Sequence, residues 1–197
     1  RNFDKSSVSC FLDIAKLNPG LEKKLIYLDH HLSHTLTSIP YSDIQSNVCS
    51  IVVDGFGDRS TTSISQVNNL YDVKELWSCE YPFSLGLFYS AITDFLGFQV
   101  NEGEFKVMGL SSYGNPDSAV AKEVFNLIKW NNQENKIIQE MKYFSYHISL
   151  KNSFSDELVS LLGEPRNPFV PLLPDNKDFQ YYADIAKGAQ LAVTDIL

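Results

Sequence analysis

Val48-Cys49-Ser50-Ile51-Val52-Val53 is a short, nearly continuous apolar run, cut off at once by Asp54-Gly55-Phe56-Gly57-Asp58. A β-branched run of that length, bounded by glycine and aspartate, reads as a strand rather than a helix. With so few polar positions on either face, it is predicted to be a central strand buried on both sides. The chain then keeps a period of two. Residues 59–67 alternate Thr, Ile and Val with Ser and Gln, and residues 72–79 set Val73 and Leu76 among charges. Gly55-Phe56-Gly57-Asp58 reads as the first connecting turn and Asn68-Asn69 as the second, which predicts a three-stranded antiparallel meander. Trp77 and Tyr81 close its end, and Pro82 stops the pairing.

Helical patterns flank the meander. Before it, Val8, Phe11, Leu12, Ile14 and Leu17 predict a helix over 4–18, stopped by Asn18-Pro19-Gly20. Leu25-Ile26-Tyr27-Leu28 reads as a short buried strand, and Asp29 caps a helix that carries His30 and His34 and ends near Pro40. After the meander, Leu85, Phe88, Tyr89, Ile92, Phe95 and Leu96 recur at helical spacing between a Ser84 cap and a Gly97 stop. Further helices are predicted over 117–130, 154–162 and 181–197, with a small peripheral hairpin over 136–145 and a proline-rich loop over 163–178. Strand, helix, meander and then helices is the grammar of a mixed α/β domain. It is compatible with one lobe of an actin-like ATPase (ribonuclease-H-like) fold, present in part.

Composition removes several classes. A net charge of -8 over 197 residues leaves no general basic face for nucleic acid. No run approaches the roughly 18 apolar residues of a membrane span, and no signal peptide is visible. Cys10, Cys49 and Cys79 are odd in number and lack CxxC spacing, so reduced thiols in a cytoplasmic protein are expected. The chain opens on Arg1-Asn2-Phe3 and stops at Leu197 inside a helical pattern, as an excised piece of something longer would.

Three of the four histidines fall in the window His30-His31-Leu32-Ser33-His34. On a helix His30 and His34 are i and i+4, so both imidazoles leave one face within reach of a single ion. Neutral imidazole suits iron, zinc, copper and nickel, and Asp54 at a strand end is the natural third ligand. Asp29 offers an alternative as the acceptor that fixes one imidazole tautomer. The competing reading is a solvent-facing helix start whose histidines merely cap or pair with Asp29. His147 stands apart and reads as structural or surface.

The glycine segment has two readings as well. As structure it is a turn that uses glycine for positive φ. As chemistry its backbone N–H groups approach a phosphate, with Arg59, Ser60 and Thr61 as further donors. Later, Glu104 and Lys106 sit among glycines and apolar residues, which calls for an ion pair or a ligand contact.

Four segments taken together resemble a known family. Asp29-His30-His31-Leu32-Ser33-His34, Val53-Asp54-Gly55-Phe56-Gly57-Asp58, Ser84-Leu85-Gly86-Leu87-Phe88-Tyr89 and Asn101-Glu102-Gly103-Glu104-Phe105-Lys106-Val107-Met108-Gly109-Leu110-Ser111-Ser112-Tyr113-Gly114 look like successive motifs of the NodU/CmcH-type carbamoyltransferases. The helix from Ala183 to Gln190 is similar too, and Ser111-Ser112 is a mild departure. The resemblance implies a domain like the Kae1/TsaD threonylcarbamoyl-transfer proteins. Residues 1–46 would then end a first lobe with the metal-ligand helix. Residues 47–197 would form most of a second, Kae1-like lobe, stopping before a nucleotide-binding glycine motif.

It further implies that His30, His34 and Asp54 ligate a divalent ion, iron(II). Gly55, Gly57, Arg59, Ser60 and Thr61 would lie near phosphate, and Glu104 and Lys106 near the nucleotide. A separate YrdC-like domain would make carbamoyladenylate from ATP and carbamoyl phosphate, and the carbamoyl group would pass to a hydroxyl of a small-molecule acceptor. No catalytic base is assigned, and the isolated piece is expected to be inactive. Two alternatives stay open: a nucleotide-dependent kinase or ATPase of the same fold class, and a non-catalytic assembly module.

Overall fold

The computed structural model describes residues 28–41, 47–69, 72–149 and 151–197. The helix expected over 4–18 and most of the strand expected over 25–28 lie outside them. Helix α1 (His30–Ser38) begins at Asp29, whose carboxylate accepts the Leu32 N–H at 3.0 Å, and a 3-10 turn (Ile39–Tyr41) ends it at Pro40. Three antiparallel strands follow in the order β1 (Val48–Gly57), β2 (Ser60–Asn69) and β3 (Asp72–Glu80), so the expected meander is present.

Two expectations about it need correction. Among the described residues the apolar run lies in β1, which pairs with β2 alone, and β2 has a strand on each side. Ile51 and Val53 are 55% and 41% exposed, and only Val52 and Gly57 of β1 are buried. An apolar run shows that a strand's faces are apolar; it does not say what covers them. Nor is Gly55–Asp58 the turn. β1 runs through Gly57, which pairs with Ser60 across a two-residue turn at Asp58-Arg59. The second connection likewise falls after Asn69, which still pairs with Asp72.

Pairing is broken between Val53 and Gly57, so three β1 residues, Asp54, Gly55 and Phe56, stand opposite the single β2 residue Thr61. Such a bulge re-aims side chains at the strand end. Here it places Asp54 beside α1.

Helix α2 (Leu85–Phe95) matches its predicted span, capped by the Ser84 hydroxyl, which accepts the Leu87 N–H. Its apolar face supplies Leu85, Phe88, Ala91, Ile92 and Phe95, all buried, to one core. Helix α3 (Glu104–Ser111) occupies the glycine-dense stretch in which no helix was expected; Val107 and Leu110 bury one side of it. The helix expected over 117–130 is shorter, α4 (Ala119–Phe125). It is capped by Ser118 and followed by β4 (Ile128–Asn131), which pairs with β5 (Lys136–Gln139). Cross-strand hydrogen bonds thus take over where helical spacing still continued in the sequence. Helix α5 (Asp156–Leu162) and the long α6 (Phe179–Ile196) complete the described chain, and α6 lays Ala183, Ile185, Ala186, Ala189 and Ala192 into the same core. Among the described residues no helix is long and apolar enough to cross a membrane.

Candidate metal centre

The short helix α1 and the end of β1 bring His30, His34 and Asp54 together. His30 Nε2 lies 2.7 Å from Asp54 Oδ2, His34 Nε2 lies 3.1 Å from His30 Nε2, and His34 Nε2 lies 3.5 Å from the same Asp54 oxygen. Donors at about 2.1 Å from one ion stand about 3.0–3.4 Å from one another in octahedral or tetrahedral geometry. The three separations bracket that range, so shifts of a few tenths of an ångström would set the atoms as one face of a coordination sphere.

Proton counting supports the same conclusion. Each imidazole nitrogen holds at most one proton, yet His30 Nε2 faces both a carboxylate oxygen and a second imidazole nitrogen. A proton given to Asp54 leaves nothing for His34, whereas a cation satisfies all three lone pairs. The residues present fit a divalent ion held by two histidines and one carboxylate, a set that leaves further positions open. Among the described residues they are also the one group of three or more potential ligands that converges in this way.

Neighbouring contacts hold Asp54 and the start of α1 in place. Asp54 divides its carboxylate: Oδ1 accepts the Gly55 N–H at 2.6 Å while Oδ2 faces the imidazoles. Burial raises its pKa, but the hydrogen bonds from His30 and Gly55 and the nearby imidazoles outweigh burial and hold the carboxyl below its ordinary value. Asp58 accepts the backbone N–H of His30 at 3.0 Å. His31, turned from the His30/His34 face toward the sheet, is buried, and its Nδ1 bonds Ser63 Oγ of β2 at 2.7 Å. Burial lowers its pKa despite Asp29 and Asp54, so it anchors the helix to the sheet as a neutral ring.

Gly57 lies beneath both rings: a Cβ there would meet His30 Cδ2 at 2.6 Å and His31 Cδ2 at 2.9 Å. Gly86 does the same for α2, since its Cβ would come within 2.7 Å of Asp54 O and Gly55 N. The Ser84 hydroxyl donates to the Gly55 carbonyl at 2.8 Å. The first turn of α2 is thus laid directly on the Asp54–Gly55 backbone.

Beside Asp54 opens a cleft of about 730 Å³, lined among others by Gly55, Tyr89, Ser90, Asn101 and Glu104. Glu104 accepts from Ser90 Oγ at 3.0 Å and from the Asn101 and Gly103 N–H groups at 2.9 and 3.1 Å. Burial pushes its pKa up, but these donors win and the carboxyl stays below its ordinary value. Tyr89 donates to Gln190 at 2.8 Å, and burial, with Glu104 near, pushes its phenol up to about 12.

Other residues singled out in the sequence are placed differently. Arg59 pairs with Glu80, Ser60 sits in the ladder opposite Gly57 and Glu80, and buried Thr61 donates to the Phe83 carbonyl at 2.6 Å. Of the glycine segment, Gly55 lines the cleft along with Phe56. Lys106 makes no ion pair with Glu104; it lies by the Phe98 and Phe105 rings and lines a different cleft. Ser90 carries no signal in the sequence, and Tyr89 and Asn101 stand there only as members of the Ser84–Tyr89 and Asn101–Gly114 segments with no role assigned, because packing alone brings them to Asp54. His31 carried one, since a histidine next to an i, i+4 pair falls on another face.

The family model described as "Carbamoyltransferase N-terminus" matches residues 6–167. An uncharacterised protein of Synechocystis sp. is 32% identical over 175 residues, 88% of this chain and 26% of that protein. The nodulation protein NolNO of Sinorhizobium fredii is 32% identical over 93 residues, 47% of this chain and 13% of that protein. An uncharacterised protein of Methanocaldococcus jannaschii is 38% identical over 99 residues, 49% of this chain and 18% of its own length. The chain thus spans about a quarter, or less, of the length of these relatives.

Proposed function

The chain belongs to the carbamoyltransferase N-terminus family, and we propose that it carries the acceptor-side half of an O-carbamoyl-transfer site. The donor is carbamoyladenylate, made from ATP and carbamoyl phosphate by a YrdC-like domain, and the acceptor is a hydroxyl of a small molecule. In the transfer the acceptor oxygen bonds the carbamoyl carbon, the bond from that carbon to the adenylate phosphate oxygen breaks, and AMP and the hydroxyl proton leave. The observation that carries this reading is the convergence of His30, His34 and Asp54 at the edge of a cleft large enough for a small ligand.

Those three residues would hold a divalent ion, iron(II), through two imidazole nitrogens and one carboxylate oxygen. When bound, it supplies a Lewis acid for the carbamoyl oxygen and a template for the phosphate. The remaining groups position. The Gly55 backbone, pinned by Ser84, sets the cleft wall next to Asp54. Glu104, ionised and held by three donors, offers hydrogen-bond acceptors to ligand hydroxyls. Its lowered pKa makes it an orienting group rather than a proton remover. Protonated Tyr89 stands beside it as a fixed polar wall.

The test uses the full-length protein with carbamoyl phosphate, ATP and its acceptor. His30→Ala and Asp54→Asn are expected to lower carbamoyl transfer about a hundredfold or more, with carbamoyl-phosphate-dependent consumption of ATP retained. Transfer at the unaltered rate in either variant overturns the site. ATP turnover that ignores carbamoyl phosphate overturns the reaction in favour of a kinase or ATPase.

A further inference from the structure

Glu104 and Lys106 are two residues apart on α3, and residues so spaced on a helix point away from each other. Glu104 lines the cleft beside Asp54, whereas Lys106 lines a second cleft of about 580 Å³. That cleft lies between α3, the turn at Gly97-Phe98-Gln99, the proline-rich loop and the start of α6. Nothing in the carbamoyl-transfer reading uses it.

Its chemistry is unlike the rest of a chain whose net charge is -8. Arg166 is only 8% exposed, and its guanidinium carbon lies 4.8 Å from the centroid of the Phe98 ring. The Lys106 ammonium lies 5.9 Å from the same centroid and 5.8 Å from that of Phe105. Among the described residues neither cation has a carboxylate within ion-pair distance. Arg166 directs its N–H groups at backbone carbonyls: Nε to Leu96, Nη1 to Asn167 and Val170, and Nη2 to Gly97. A guanidinium has five N–H groups, so these bonds use four, and one on Nη2 is left without an acceptor among the described residues.

The carbonyls clamp the loop to the Gly97 turn, which accounts for the burial of Arg166, but they do not neutralise its charge. A buried cation without a counter-ion is costly. Tyr113 and Phe179, in edge contact with ring centroids 5.6 Å apart, line the same cleft.

We infer that this second cleft binds a small organic anion, a carboxylate or phosphate carried on a flat apolar body. The anion faces the Lys106 ammonium and the spare Arg166 N–H, and the flat body lies against the aromatic side chains. The site is separate from the metal centre and does not require it.

The test is calorimetric titration of the 197-residue chain with benzoate, phenyl phosphate and, as the neutral isostere, benzamide. At least one of the two anions is expected to bind saturably, and the tighter of them identifies the anionic group. Benzamide is expected to bind at least about tenfold more weakly than that anion, and the Lys106→Gln variant to weaken the anion by about tenfold, because a charge-assisted contact is lost. Lys106 is exposed, so the variant should melt with the unaltered chain, and His30→Ala should leave anion binding as it was. In amide NMR spectra the shifts should centre on Phe98, Lys106 and Tyr113. Four results each overturn the assignment: no saturable anion binding, equal binding of benzamide, indifference to Lys106→Gln in a folded variant, or shifts centred on Asp54.

Discussion

Gly57→Ala strains the packing beneath the proposed metal centre directly. The added Cβ would lie 2.6 Å from His30 Cδ2, 2.9 Å from His31 Cδ2 and 3.0 Å from His31 Nε2. Non-bonded carbons settle at about 3.5–4.0 Å, so both rings must retreat by roughly 1 Å. His31 has little room to do so, being buried and tied to Ser63. Overpacking of this kind costs about 1–3 kcal/mol, which for a domain of this size lowers the melting midpoint by roughly 2–4 °C per kcal/mol. His30 is one of the three proposed ligands, and its Nε2 sits 2.7 Å from Asp54, so the displacement also spoils donor spacing. Affinity for a divalent ion should fall about tenfold or more. The assay is thermal unfolding together with titration of cobalt(II), followed by its visible absorption. Gly55→Ala is the control, because its Cβ would meet Leu87 at an ordinary 3.6 Å; it should change stability by less than about 0.5 kcal/mol. If Gly57→Ala matches the unaltered chain in both readouts, or Gly55→Ala loses as much, the packing argument is refuted.

Two further outcomes follow from the cleft walls. Glu104→Gln keeps the shape but removes the charge that accepts three hydrogen bonds, and should cost about 1–3 kcal/mol by chemical denaturation at neutral pH. The folded carboxyl titrates below its ordinary value of 4.5, so its stabilisation is complete above that pH and is lost as pH falls through the folded pKa. The variant's deficit should therefore shrink in acid, and a deficit that grows there would contradict the assigned state. Ser84→Ala removes both the cap of α2 and the tie to Gly55, and should cost about 1–2 kcal/mol in thermal unfolding. A neutral result would show that α2 does not depend on that hydroxyl.

Much of this architecture is legible in the sequence. An i, i+4 histidine pair places His30 and His34 on one helix face, and a strand ending in Asp-Gly points to Asp54, the three side chains that converge in the fold. The meander follows from its period, and α2 from its cap and apolar face. What escapes a reading of the sequence depends on partners far along the chain. The exposure of Ile51 and Val53 cannot be told from an apolar run, because what packs on each face decides it. Helix α3 is short, carries Gly109 in its last turn and starts at Gly103, which makes no side-chain cap; burial of Val107 and Leu110 sustains it. Once that stretch is helical, Glu104 and Lys106 face different clefts, which their closeness in sequence conceals. Tyr89 reaches the wall beside Asp54 through the docking of α2, and Asn101 through the turn that leads into α3.

The most direct test is metal content. The 197-residue chain, loaded anaerobically with iron(II) and freed of excess, should retain about one ion per chain, and His30→Ala, His34→Ala and Asp54→Ala should each lose most of it while remaining folded. Retention of the same iron by all three variants, or no retention by the unaltered chain at any iron(II) concentration tried, would contradict the assignment of His30, His34 and Asp54 as one metal centre.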